Sequence, residues 1–150
     1  MTVSVCVHGH FYQPPRDNPW LGSVPCQPTA APAHDWNERV ANECYRANVG
    51  AQVWNQGGEV VARIRTYDHI SFDMGPTLMR WMQLRAPDIH QSIIQSDRQH
   101  LELRGHGGAM AQSYHHTILP LDHPRDRRTQ IHWGLQDFKH RFSRHADGMW

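Results

Sequence analysis

Thirteen histidines are the feature of this 150-residue sequence that most suggests chemistry. Two of them, His8 and His10, alternate along the chain, so a strand places both imidazoles on the same face. Two imidazoles on one face can bind sugar hydroxyls, donate to a developing charge or ligate a metal. A metal site needs further ligands, for which the candidates are His106, His115 and His116. Spacing alone does not decide among these three kinds of chemistry, and His8 and His10 can also be a purely structural pair.

Neutral amides and aromatic rings in or beside loops are compatible with carbohydrate binding. The amides of Gln13 and Gln112 carry donors and acceptors that suit sugar hydroxyls, although they can equally tie loops down. Sugar rings stack on aromatic faces, which buries apolar area while the hydroxyls stay hydrogen-bonded. The aromatic residues that fit this role by position are Tyr12, Trp20, Trp36 and Trp54.

Strand and helix patterns alternate around these residues. This alternation is typical of an α/β fold with parallel strands, in which sites form at the carboxyl ends of the strands. A Pro-rich irregular loop is expected over 14–33 and a second loop over 48–58. We predict strands over 2–7, 59–65, 70–74 and 109–112, and the start of another near 147; we predict helices over 35–45, from Pro76, from Pro87 and over 127–144.

Composition excludes several classes of protein. With 15 basic and 14 acidic residues the net charge is +1, which argues against a general nucleic-acid binder. The chain lacks an apolar run of about 18 residues, so we expect neither a membrane span nor a membrane partner. Three cysteines without CxxC spacing favour a reducing cytoplasm. The Gly-rich stretch 105–108 matches no phosphate loop, so nucleotide binding is not expected.

Seven motifs occur in order along nearly the whole chain. They are HGHFYQPPRDNPW, HDWNERVANECYRAN, ISFDMGPTLMRWM, SDRQ, GHGGAMAQSYHHTILPL, RDRRTQIHWGLQDFKHRF and DGMW. Together they resemble the N-terminal part of glycoside hydrolase family 57, in particular its bacterial subgroup of α-amylase-like and glucanotransferase-like proteins.

The resemblance implies a fold and an activity. The fold is an incomplete (β/α)7 pseudo-TIM barrel with parallel strands and helices outside, of which residues 1–150 are the N-terminal part. The activity is retaining hydrolysis or 4-α-glucanotransfer on α-glucans, without a metal or another cofactor. The histidines of the first motif, here His8 and His10, line the sugar subsite at the point of cleavage in this family.

The resemblance also implies where the catalytic carboxylates lie. The nucleophile of the family is a Glu in a motif similar to G-M-W-L-P-E, and this sequence ends on Gly148, Met149 and Trp150. We therefore expect the nucleophile just after Trp150 and the acid/base Asp further on, with negligible hydrolysis by this chain alone. Part of the cleft is then expected from His8, His10, Tyr12, Gln13, Trp36, Asp73, His106, Gln112 and Trp150.

Two departures from the family pattern bear on specificity. Asp73 stands where the family often has Asn, which replaces a donor with an acceptor-only group when it is ionised. The second family motif is replaced here by His106, Gly107 and Gln112. Two other functions stay open: a metal-dependent, carbohydrate deacetylase-like hydrolase that uses clustered histidines, and a non-catalytic carbohydrate-binding fragment.

Overall fold

The computed structural model describes residues 2–150, which form five strands and five α-helices. The strands are β1 (His8–Phe11), β2 (Ala51–Trp54), β3 (Val60–Ile64), β4 (Ser71–Met74) and β5 (Ala109–Met110). The helices are α1 (Trp36–Val40), α2 (Arg46–Val49), α3 (Pro76–Arg85), α4 (Pro87–Arg104) and α5 (Pro124–Phe142), and a π-helical turn over Ala41–Tyr45 joins α1 to α2.

A three-stranded parallel sheet with the order β1-β4-β5 organises the fold. Parallel neighbours need long crossover connections, and α3 and α4 supply the one between β4 and β5. A parallel bridge from Ala111 to Met149 continues the sheet beyond β5. The mixed α/β class and the parallel pairing predicted from the sequence are therefore confirmed.

The hydrophobic core lies between this sheet and the helices α3 and α4. Phe72 points from β4 into the core and is fully buried, while its neighbours in β4 at 71 and 73 face the other side. Both helices begin with Pro, whose fixed φ suits a first helical position. The helical residues that fill the core at this interface include Leu78, Met82, Ile89 and Ile93.

The first strand lies further along the chain than predicted. The apolar pattern places a strand over 2–7, but the structure pairs His8–Phe11 with β4 and leaves residues 2–7 without strand structure. A strand needs a partner, and the register His8 to Ser71 aligns β4 with residues after Val7. As a result Val3 and Val5 are each 87% exposed.

The predicted loop over 48–58 contains a strand that the sequence pattern did not reveal. Here β2 pairs with the predicted strand β3 as an antiparallel hairpin. The turn depends on Asn55, whose Oδ1 accepts from the backbone N–H groups of Gly57 and Glu59. Gly58 has a φ of 78°, which glycine adopts without steric cost. Three of the four β2 residues are exposed, so the strand lacks the alternation that identifies a half-buried strand.

The helix predicted from residue 35 begins directly after Asp35, which is its N-cap residue. Asp35 Oδ1 accepts from the backbone N–H groups of Asn37 and Glu38, and Glu38 Oε2 accepts from the His34 backbone N–H at 2.8 Å. The helical path continues past the predicted end at Tyr45 to Val49 through the π-helical turn.

A buried ion pair fastens the end of α5 to the sheet. Arg144 donates to both carboxylate oxygens of Asp97 at 2.8 and 2.9 Å and to the Ala109 carbonyl at 2.8 Å. Asp97 in turn accepts from the Ala109 backbone N–H. The hydrogen bonds to Asp97 raise the pKa of the Arg144 guanidinium.

No helix within residues 2–150 combines the length and apolarity needed to cross a membrane.

Candidate functional site

Two imidazoles converge on one buried carboxylate at the centre of the parallel sheet. The register places His10 opposite Asp73 and His8 opposite Ser71. His8 Nε2 lies 2.8 Å from Asp73 Oδ1, and His10 Nδ1 lies 2.7 Å from Asp73 Oδ2. Asp73 is fully buried, whereas the side chains of His8 and His10 are 23% and 34% exposed. The carboxylate thus orients two rings that solvent can reach.

Gln112, two residues after β5, supplies a third donor to the same carboxylate. Its Nε2 donates to Asp73 Oδ2 at 2.6 Å and lies 3.4 Å from the Phe11 carbonyl. Asp73 therefore accepts from three donors, which suits an ionised and acceptor-only group. This arrangement gives a physical reason for a carboxylate at position 73.

The Gln112 side chain cannot reverse without cost. Turning the amide over would set its Oε1 against the Asp73 carboxylate, so the hydrogen bond to Asp73 fixes the orientation. In that orientation the buried Oε1 has no hydrogen-bond partner within residues 2–150. An unpaired buried acceptor is uncommon in native structures and marks a position where a donor is missing.

The hydrogen bonds to Asp73 also determine which imidazole nitrogens carry protons. With Asp73 ionised, His8 donates from Nε2 and His10 from Nδ1. The other nitrogen of His8, Nδ1, lies 2.8 Å from the Ser71 hydroxyl. The other nitrogen of His10, Nε2, lies 2.8 Å from Nε2 of His116. All four imidazole nitrogens therefore have a polar neighbour.

The loop after β5 brings His116 to this cluster. Its ring stacks on Tyr12 with a centroid distance of 4.4 Å and is tilted against His10 at 4.8 Å. The Tyr12 hydroxyl donates to the His115 carbonyl at 3.1 Å, which ties the segment after β1 to this loop. Burial raises the pKa of Tyr12, so its hydroxyl keeps its proton.

Trp150 lies against the same two imidazoles. Its ring is stacked on His8 with a centroid distance of 5.5 Å and on His10 with a distance of 5.1 Å. The Trp150 backbone N–H donates to the Ala111 carbonyl at 2.7 Å, which places the ring beside the sheet. The side chain is 59% exposed, so a large part of the indole remains available for stacking against a ligand.

Six of the nine predicted substrate-binding residues lie together, five of them in direct contact and Tyr12 joined to them through His116. They are His8, His10, Tyr12, Asp73, Gln112 and Trp150, and we call these six residues with Ser71 and His116 the imidazole cluster. The other three contact different groups. Gln13 bonds to Tyr45 and Arg16, Trp36 donates to Thr29, and exposed His106 contacts only the carbonyl of Gly107 among the described hydrogen bonds.

The sequence patterns do not single out Ser71, and they indicate His116 only as a candidate metal ligand. A signal for Ser71 exists, because strand alternation places residues 71 and 73 on one face. His116 lies in a loop and has a φ of 56°. No periodic pattern in the sequence indicates the direction of its side chain.

The metal-dependent alternative lacks a ligand set in the part of the chain that the structure describes. Within residues 2–150, no group of three or more His, Cys, Asp or Glu side chains is arranged to hold a metal ion. In the imidazole cluster the carboxylate oxygens face ring nitrogens and an amide at hydrogen-bond distance. This arrangement therefore favours hydrogen bonding to a polar ligand over metal coordination.

A cavity of the fold lies away from the two imidazoles on Asp73. It has a volume of about 570 Å³, lies between α1 and α3 and includes Asp35, Arg46 and Trp81 in its lining.

Neither a protein-family model nor a curated protein nor a solved structure matches this chain. The features that indicate a function are therefore the geometry of the imidazole cluster and the sequence motifs.

Proposed function

We propose that this chain forms part of the sugar-binding cleft of a glycoside hydrolase family 57-like protein that acts on α-glucans by a retaining mechanism, as a hydrolase or a 4-α-glucanotransferase. In this proposal residues 1–150 are the N-terminal part of an incomplete (β/α)7 barrel. The observation that carries the proposal is the pair His8 and His10, both held by buried Asp73 beside exposed Trp150.

This arrangement suits a sugar because it offers a polar edge and an aromatic face together. A sugar hydroxyl both donates and accepts, and an imidazole with a fixed tautomer presents one defined donor or acceptor to it. The exposed part of the Trp150 indole offers an apolar surface to the C–H face of a sugar ring. Asp73 sets the ring orientations before a ligand arrives, which reduces the entropy cost of binding.

Bond cleavage is assigned to other groups in this proposal. Retaining glycoside hydrolysis needs two carboxyl groups about 5–5.5 Å apart, one of them free to attack the anomeric carbon. Asp73 is fully buried and accepts from three donors, so it is a positioning group and not a nucleophile. The nucleophile Glu and the acid/base Asp are then supplied from outside residues 1–150.

Titration of the chain with maltooligosaccharides tests the proposal. We expect saturable binding, followed by isothermal calorimetry and amide NMR shifts, with the largest shifts at residues of the imidazole cluster. His10→Ala removes one of the two rings and is expected to weaken binding about twofold to tenfold, the effect of losing one ordinary hydrogen bond. His132→Ala is the matched control, since His132 is an exposed histidine on α5.

Two results would contradict the proposal. One is the absence of maltooligosaccharide binding by the folded wild-type chain. The other is an equal loss of affinity in His10→Ala and His132→Ala, which would show that binding does not depend on the imidazole cluster. A turnover assay on the same samples separates the cleft from a complete enzyme, because binding without hydrolysis is expected.

A further inference from the structure

The contact between His10 and His116 holds a single proton. The two Nε2 atoms lie 2.8 Å apart, a hydrogen-bond distance at which only one of them can carry a hydrogen directed at the other. His10 already uses its Nδ1–H on Asp73, so a neutral His10 has a bare Nε2. His116 must then be the donor, and its neutral form is the Nε2–H tautomer.

The bare nitrogen of His10 accepts one hydrogen bond and no more. An unprotonated imidazole nitrogen has one lone pair, which lies in the plane of the ring. His8 offers no substitute, because its Nε2 faces Asp73 and its Nδ1 faces Ser71. Among the ring nitrogens of His8 and His10, the acceptor that could serve a ligand hydroxyl is therefore His10 Nε2, and His116 covers it.

We infer that His116 is a positioning residue that occupies the place of a ligand hydroxyl on His10 and is displaced when a carbohydrate binds. The inference rests on the proposed function, because it concerns the same two imidazoles. A hydroxyl that donates to His10 Nε2 competes with the His116 N–H for one lone pair, so the two cannot be bound together. His116 thereby restricts the site to ligands that offer a well-directed hydroxyl donor.

The position of His116 in the fold is consistent with a side chain that moves. It lies in the loop between β5 and α5, and its φ of 56° is a left-handed conformation that few non-glycine residues adopt. Its ring contacts are the stack on Tyr12 and the contact with His10, and the residue is only partly buried. Leaving His10 therefore breaks one hydrogen bond without opening the core.

Displacement of His116 lowers the measured affinity by the fraction of molecules in which His10 is uncovered. The net worth of one ordinary hydrogen bond corresponds to a factor of about two to ten in an equilibrium constant. His116→Ala removes the competitor, so we expect this variant to bind a maltooligosaccharide about twofold to tenfold more tightly than the wild type.

The experiment combines binding with imidazole NMR on the full chain. In the ligand-free wild type labelled with ¹⁵N-histidine, we expect the Nε2–H tautomer of His116 and a coupling across the hydrogen bond to His10 Nε2. Saturation with maltohexaose should abolish that coupling while the Nδ1–H signal of His10 persists. His115→Ala is the matched control: it removes a neighbouring imidazole whose Nδ1 contacts Gln130 instead, and its affinity should stay at the wild-type value.

The outcomes separate the inference from the function on which it rests. Wild-type binding with equal or weaker binding by His116→Ala overturns the inference and leaves the proposed function standing. A coupling that persists at saturation, or that is absent without ligand, also overturns the inference alone. Binding by neither the wild type nor His116→Ala contradicts the proposed function, and the inference fails with it.

Discussion

Asp73 on the central strand β4 connects side chains that lie on both sides of that strand. Its carboxylate accepts from His8 and His10 on β1 and from Gln112 after β5. The two histidines are partly exposed and can turn to water if the carboxylate is lost, but Gln112 is 2% exposed and cannot. The hydrogen bond from the buried Gln112 amide is therefore the one whose loss should cost most stability when the carboxylate is removed.

Asp73→Ala is expected to lower the free energy of unfolding by about 1–3 kcal/mol, the cost of leaving a buried donor without a partner. Urea unfolding followed by tryptophan fluorescence measures this change. Asp126→Ala is the control, because Asp126 is exposed and its contact with Arg125 is 3.6 Å long, and it should change stability by less than about 0.5 kcal/mol. Equal stability of the two variants would show that Asp73 does not hold the cluster together.

The double variant Asp73→Ala, Gln112→Leu refines this prediction. Once Gln112 is replaced by an apolar side chain of similar size, no buried donor remains to be satisfied. The second substitution should therefore cost less in the Asp73→Ala background than in the wild type. Additive costs in this double-mutant cycle would contradict a direct coupling between the two side chains.

Single residues of the site could be predicted where a pattern with a fixed period applied. Alternation along a strand placed His8 with His10 on one face, and the same rule places Ser71 with Asp73. The position of His116 could not be predicted, because a loop residue with positive φ follows no such period. Trp36 shows the limit of residue type as a guide, since its indole N–H donates to Thr29 and it contacts the side chain of Arg39.

At the scale of elements, α4 carries two histidines on its buried side. Burial lowers the pKa of His90, and the nearby Arg141 guanidinium lowers it further against the opposing effect of Asp137. Burial likewise lowers the pKa of His100, with Arg104 adding to the effect, while the backbone carbonyl of Tyr67 and the charge of Asp97 oppose it. Both side chains are therefore held in the neutral form in the folded protein.

These lowered pKa values make stability fall in mild acid. Below the unfolded-state pKa of about 6.5, the unfolded chain binds protons at these positions that the folded chain does not. Stability is therefore complete above that pH and declines as the pH falls toward the lowered folded pKa values. Urea unfolding between pH 7.5 and 5 should show this slope, and His90→Gln should reduce it. His132→Gln should leave it unchanged, and an equal slope in all three proteins would contradict the assignment.

Helix α5 approaches the sheet through Gly134. Alanine in a helix interior is favoured over glycine by about 1 kcal/mol, so helix propensity alone predicts that Gly134→Ala stabilises the protein. A Cβ at this position would instead overlap the backbone carbonyl of Gln112. We expect the overlap to outweigh the propensity, with a net loss of about 1–3 kcal/mol.

Thermal and urea unfolding of Gly134→Ala decide the sign of this effect. Gly50→Ala is the control, because a Cβ at Gly50 meets no atom within 4 Å and its φ of −149° lies outside the left-handed region that favours glycine. A stabilised Gly134→Ala variant would show that α5 does not pack this closely on the Gln112 backbone.

Most elements were predictable where helix or strand periods were long enough to recognise. The predicted helix start at residue 35, the prolines at 76 and 87 and the strand pattern over 70–74 located α1, α3, α4 and β4. The first strand was misplaced because apolar β-branched residues at 2–7 carry the pattern, whereas the register with β4 selects His8–Phe11. Partner choice is a tertiary property that a local pattern does not contain.

At the scale of the whole molecule, apolar side chains that stay exposed outside the parallel sheet and on the β2–β3 hairpin are expected to favour association between chains. Val3, Val5, Trp20 and Leu21 are each at least 73% exposed, and the β2–β3 hairpin adds Val53, Trp54 and Val61. Isolated apolar residues are ordinary on protein surfaces, but contiguous ones on an open strand edge favour pairing with another chain. The mixed α/β class was predictable from the alternation of elements, whereas the exposure of Val3 and Val5 follows from the position of residues 2–7 outside the sheet.

Self-association of the purified chain should therefore depend on concentration and on the hairpin. Sedimentation velocity is expected to show species larger than a monomer that increase with protein concentration, because pairing at the strand edge removes apolar surface from water. Val61→Lys adds a charge to the exposed hairpin and should shift the distribution toward monomer, while Gln56→Lys adds the same charge in the turn and should shift it less. A monodisperse monomer at every concentration would contradict the prediction. If both variants shifted the distribution equally, the effect would be due to net charge. Pairing at the strand edge predicts a larger effect for a charge within the strand than for a charge in the turn.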